Sequence, residues 1–216
     1  DPTWVPFCRE LWSSAEQQQN YLPGVPEGSD LCITPVSAPE NHYVRIKADN
    51  RLEADGTLRG TFTLTAEGQS DSNIRRIFTT GFQSEWKSTM ERQLLAISPK
   101  ARLLSVDYGK NPKDYQAAPI KITFRYEIPD YALKGEGEMF FRPMVMNNLY
   151  NQVRSYMWID TSVENRKYGF KDACSRLVEL DETVQLPAGY KLVSAVKDET
   201  MQGVGADFEG SLVQKG

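Results

Sequence analysis

Breaking or joining a covalent bond with side chains alone requires a nucleophile, a base within hydrogen-bond reach and a group that orients the base. Cys8, His42 and Asp1 are the residues of this chain that could fill those roles, and His42 is its single histidine. Cys8 and Asp1 lie in a short, Pro-rich stretch that gives a self-contained Cys8–His42–Asp1 set little support. A cysteine packed against Trp4 and Phe7 is the stronger account of Cys8. His42 sits in Pro39-Glu40-Asn41-His42-Tyr43, just before a predicted strand, and reads as a solvated loop histidine. One histidine cannot build a multi-histidine metal centre, and the sequence predicts neither a metal site nor a cofactor. Cys8, Cys32 and Cys174 include no close pair spaced for zinc or for a dithiol. Three lone thiols packed as small hydrophobes are favoured over a Cys8–Cys32 bridge.

Two further patterns could carry chemistry. Glu136 and Glu138 flank Gly137 and, two apart in a predicted strand, project from one face; paired carboxylates can do acid and base work or hold a cation, while a solvated strand face is the stronger account. Tyr150, Tyr156, Trp158, Tyr168 and Phe170 crowd a segment that also holds Asn147, Asn148, Asn151 and Gln152. Aromatic faces beside amides stack on sugars or grip extended peptides, so Tyr156, Trp158 and Tyr168 are the candidate ligand-binding residues, with a glycan or a peptide as partner. The competing account is apolar core plus a polar connection. Asp49-Asn50 and Asp55-Gly56 lack the ligand order of a calcium loop and read as turns. Gly203-Val204-Gly205 lacks the further glycine and the helix of a phosphate loop.

The elements that must position these residues change character near residue 37. Pro2, Pro6, Pro23, Pro26 and Pro35 punctuate residues 1–36, which can carry neither a long helix nor a central strand; Asp30–Thr34 reads as an edge strand, with turns at 22–24 and 26–28. Residues 37–216 are expected to form a second unit. There Val44, Ile46 and Ala48 alternate with Arg45 and Lys47. After the Asp55-Gly56 turn, Leu58, Phe62 and Leu64 alternate with polar residues, giving a half-buried antiparallel pair. Ser70-Asp71 offers an N-cap before Ile74, Ile77 and Phe78, with Gly81 ending that helix. Phe82, Trp86, Met90, Leu94 and Ile97 form the apolar stripe of a second helix that stops before Pro99. Ile120 to Ile128 is the clearest strand; others are expected around Met139–Phe141 and over 156–159, 177–186, 190–196 and 204–213. This pattern predicts a mainly β fold: an antiparallel two-sheet β-sandwich with one flanking helical hairpin on an edge or an open face.

At 216 residues, 40% apolar and 25% charged, the chain has the composition of an ordinary globular protein, and no run approaches the roughly 18 apolar residues of a membrane span. Its net charge of −4, with lysines and arginines scattered, gives no footprint for nucleic acid.

Asp1-Pro2-Thr3-Trp4-Val5-Pro6-Phe7, followed by Leu22-Pro23-Gly24 and Leu31-Cys32-Ile33-Thr34, resembles the closing part of a bacterial transglutaminase-like domain. Residues 51–60 and 184–190 resemble the accessory domain that follows it in multidomain envelope proteins. The resemblance implies that residues 1–36 are the tail of the catalytic domain and 37–216 a β-sandwich accessory domain. It also implies that Asp1 is the third member of a Cys-His-Asp triad whose Cys and His lie upstream. The parent would be a cysteine peptidase or acyl transferase of the periplasm or cell envelope, and this portion, without nucleophile or base, a non-catalytic module partnered by the upstream domain.

Overall fold

The computed structural model describes residues 16–115, 119–147, 162, 164–169, 174–195 and 197–215. Two-residue strands β1 (Asn20–Tyr21) and β2 (Cys32–Ile33) pair antiparallel, β2 lying within the edge strand expected at 30–34. The buried Gln17 side chain accepts the Ser37 N–H at 3.0 Å, and Asn41 Nδ2 donates to Ser37 Oγ at 3.1 Å, so this piece is stitched to the residues that follow it.

Strands β3 (Val44–Leu52) and β4 (Leu58–Ala66) form the predicted hairpin. Its turn needs glycine: Gly56 has φ +90°, and Asp55 Oδ1 accepts the Thr57 N–H at 2.9 Å. Helices α1 (Gly68–Thr79) and α2 (Trp86–Leu95) follow, then β5 (Arg102–Asp107) and β6 (Ile120–Ile128). Strands β7 (Leu133–Lys134) and β8 (Met139–Phe140) make a small hairpin, and Met144–Met146 a single 3-10 turn. Strand β9 (Val178–Gln185) returns to the main sheet, while β10 (Glu199–Met201) and β11 (Phe208–Gly210) pair with each other.

The main sheet has the order β5-β6-β4-β3-β9. All its neighbours are antiparallel except β3 and β9, which run parallel. Period-two patterning gives it two unlike faces. Val44, Ile46, Ala48, Leu52, Leu58, Phe62, Leu64, Ile122, Phe124 and Ile128 are buried on one, against Ile74, Phe78, Trp86, Met90 and Leu94 of the helices and Met144 and Val145 of the 3-10 turn. Phe78, Trp86 and Tyr108 meet edge to face with ring centroids 5.1 to 5.6 Å apart, locking α1, α2 and the segment after β5 together. The opposite face is polar: Arg45, Lys47, Asp49 and Arg51 on β3, Thr61, Thr63 and Thr65 on β4, Lys121, Thr123 and Arg125 on β6. Glu127 anchors its far corner, accepting from Arg59 at 2.7 Å and from Arg102 at 3.3 Å.

The mainly β expectation holds, and the helices do lie on an open face. Among the described residues the layer facing the apolar side of the sheet is helical, and the other strands form three two-stranded ladders. Several local expectations are corrected. Phe82 is 76% exposed, because it precedes the 3-10 turn that leads into α2 and so lies off the helical stripe. Helix α1 starts at Gly68, before Ser70-Asp71. Asp49 and Asn50 are mid-strand residues. Strand β5 was not expected, and residues 190–195 carry no strand.

Candidate functional site

Asp1, Cys8, Tyr150, Tyr156, Trp158 and Phe170, with Asn148, Asn151 and Gln152, lie outside the described residues. Tyr168 is 76% exposed, and the Lys167 ammonium stands 5.6 Å from its ring centre. Asn147 is engaged in structure, donating to the Tyr131 hydroxyl at 2.9 Å and to the carbonyls of Pro143 and Met144 at 3.3 Å. Glu136 and Glu138 fall in the exposed tip joining β7 and β8, where Gly137 has φ +79° and Gly135 N–H donates to the Glu138 carbonyl; they do not share a strand. Cys32 and Cys174 are free thiols, and each directs its Sγ at a backbone carbonyl. Among the described residues no cluster of three or more His, Cys, Asp or Glu side chains could hold a metal ion.

His42 departs most from its expectation: it is fully buried. Its Nδ1 accepts the Gln69 N–H at 3.0 Å and its carbonyl accepts from Ser70 Oγ at 2.9 Å, so it caps α1 from outside the helix. Gly68 makes this approach possible. It has φ +58°, and a Cβ there would stand 2.2 Å from the Asn41 carbonyl oxygen and 2.4 Å from His42 Nδ1. An accepting Nδ1 leaves the proton of the neutral ring on Nε2, which is buried without a partner. Burial first, and then the Arg176 charge, pull the imidazole down to about 4. The ring is therefore neutral near pH 7, with its only lone pair committed to the helix.

Beside it, Asp71 and Arg75 pair one helical turn apart with both side chains 2% exposed, Arg75 Nε donating to Asp71 Oδ2 at 2.6 Å. The remaining oxygen, Asp71 Oδ1, accepts the N–H of Ile120 at 2.7 Å, and Arg75 Nη1 donates to the carbonyls of Pro112 and Asp114 at 3.0 and 2.9 Å. A buried pair survives when its other hydrogen-bonding positions are also filled. This one clasps the loop between β5 and β6 to α1.

A second polar group crosses the buried face near the other end of the sheet. Asn50 on β3, Gly60 on β4 and Tyr126 on β6 are in register across three strands. Because Gly60 has no side chain, Asn50 and Tyr126 meet above it: the Tyr126 hydroxyl donates to Asn50 Oδ1 at 2.5 Å. A Cβ on Gly60 would lie 1.8 Å from that oxygen. Asn50 Nδ2 donates onward to Glu182 Oε1 on β9 at 2.7 Å, and Glu182 Oε2 accepts the Val145 N–H at 3.0 Å. Burial, followed by the Glu182 charge, drives the Tyr126 phenol far above its ordinary value, with the Asn50 hydrogen bond opposing. Tyr131 is pushed up to about 12 chiefly by burial, against the Asn147 hydrogen bond. Both phenols stay protonated at neutral pH, and both Glu182 oxygens are engaged. The arrangement holds β9 and the 3-10 turn to the sheet; it presents neither a nucleophile nor a base.

Sequence reasoning missed this line, yet part of it had a signal. The Asp55-Gly56 turn that sets Leu52 opposite Leu58 also sets Asn50 opposite Gly60, an amide facing a missing side chain on a core-facing row. No family model, curated protein or solved structure matches the chain.

Proposed function

We propose that this chain is a non-catalytic module of a larger transglutaminase-like protein of the periplasm or cell envelope, docking on its catalytic domain and supporting it. The observation that carries the reading is how the buried polar groups are used. His42 Nδ1 caps a helix, Asp71 and Arg75 clasp a loop, and Asn50, Tyr126 and Glu182 fix a strand. Each holds one element to another. The broad polar face of the sheet is then the surface available to a neighbouring domain. The two-sheet β-sandwich belongs to the same proposal. Asp1 enters as the orienter of the upstream histidine.

The test is to express the parent protein with and without residues 37–216. Loss of catalytic-domain stability or of amide turnover on deletion is expected; unchanged folding together with unchanged activity would count against it.

The exposed ring of Tyr168 favours a second reading, a glycan- or peptide-binding module that uses Tyr156, Trp158 and Tyr168. Glycan-array binding that is lost in both Trp158→Ala and Tyr168→Ala would replace the first reading with this one.

A further inference from the structure

The two edges of the five-stranded sheet are finished differently. At β5 the register shifts between Leu103 and Ser105, and α2 packs against the strand, two devices that discourage further pairing. Strand β9 is a regular eight-residue edge. It pairs with β3 on one side, and among the described residues no strand or backbone group bonds to residues 178–185 on the other.

The side chains of β9 specify what that open edge would accept. Val178, Leu180, Glu182 and Val184 share the core-facing side, and Glu179, Asp181, Thr183 and Gln185 the other. The 3-10 turn covers the Glu182 end, but Val178 and Leu180 remain 37% and 42% exposed. On its inner edge, β9 meets Val44-Arg45-Ile46-Lys47 with Val178-Glu179-Leu180-Asp181, apolar residue beside apolar and cation beside anion. Arg45 and Glu179 form an ion pair there, whereas Asp181 makes none. A strand on the outer edge meets the same alternation. A second copy of β9 does not suit it, because antiparallel self-pairing centred on Asp181 sets the two Asp181 side chains opposite each other.

We propose that the outer edge of β9 is a strand-addition site for an extended peptide in which apolar residues alternate with lysine or arginine. Main-chain hydrogen bonds to the unpaired edge supply affinity, Val178 and Leu180 receive the apolar side chains, and Asp181 with Glu179 selects the cations. This inference does not depend on the transglutaminase-like reading.

The probe is a fluorescein-labelled synthetic peptide repeating Val-Arg-Ile-Lys, titrated against the whole chain by anisotropy. Controls are the same peptide with glutamate at the basic positions and a version N-methylated at alternate residues. Saturable binding that weakens with salt is expected for the basic peptide, with neither control binding. Asp181→Lys and Leu180→Lys, both at exposed positions, should each reduce affinity about tenfold or more while leaving the urea midpoint close to that of the unmodified chain. Asp181→Lys should also admit the acidic peptide. No saturable binding, equal binding of the N-methylated peptide, or undiminished binding to Leu180→Lys would overturn the proposal. So would self-association of the chain that Leu180→Lys abolishes, since that assigns the edge to a second copy.

Discussion

The two polar groups buried on the core side of the sheet differ in reach. Around the start of α1, His42, Ser70, Asp71 and Arg75 are all sealed from solvent, and the hydrogen bonds described above for them join residues no more than 49 apart along the chain. Toward the other end, Asn50 and Tyr126 are buried but the line ends on half-buried Glu182, 132 residues from Asn50. Those bonds tie α1 to the segments just before and after it. The second recruits a distant segment and leaves one member at the rim. A dry pair is costly to break because the abandoned partner keeps its charge away from water, while a group at a rim can be rescued by solvent.

That contrast is best attacked first at Arg75. Arg75→Met strands the Asp71 carboxylate, and a loss of about 3–5 kcal/mol in urea unfolding is expected. Retention of normal stability would mean the clasp is dispensable. Next comes the histidine. Above pH 6.5 His42 is neutral in both folded and unfolded chains. Between 6.5 and about 4 the unfolded chain binds a proton that the folded one excludes, so stability falls by up to about 3 kcal/mol, with no further loss from this group below 4. His42→Asn, which keeps a capping acceptor, should flatten this part of the stability–pH curve relative to the unmodified chain; parallel curves would show that the imidazole does not couple to folding. At the rim-linked group, Gly60→Ala forces Asn50 off Tyr126 and should cost about 1–3 kcal/mol, the range of overpacked cores. Tyr126→Phe removes only the hydroxyl and should cost about 1 kcal/mol. In a double-mutant cycle with Asn50→Ala, the Tyr126 contribution should largely vanish, and an additive result would show that the two side chains are not coupled.

Strands β3, β4, β6 and β9 were legible because each keeps its alternation over eight or nine residues, with Asn50, Gly60 and Glu182 as single breaks in the core-facing rows. Strand β5 escaped because the irregularity at Leu103–Ser105 breaks its period within six residues. The helical stripe of α2 held for Trp86, Met90 and Leu94 and failed for Phe82, where the backbone is not yet α-helical. His42 was misplaced for a different reason: Pro-Glu-Asn-His is loop chemistry, and only the packing of α1 over that loop, through Gly68, buries it. Glu182 could not be assigned at all. Its partners come through a parallel pairing whose register no turn sets, unlike Asn50 and Gly60, which a five-residue connection fixes.

The parallel ladder between β3 and β9 also dictates an order of assembly. Joining Val44 to Val178 closes a loop of more than a hundred residues, and that entropy is recovered only once β3, β4 and β6 already offer a surface to land on. Strand β9 therefore arrives last and detaches first, a separate cooperative unit on an otherwise continuous sheet. Its amides should exchange with deuterium well before those of β4, so the polypeptide passes through a four-stranded form each time it breathes.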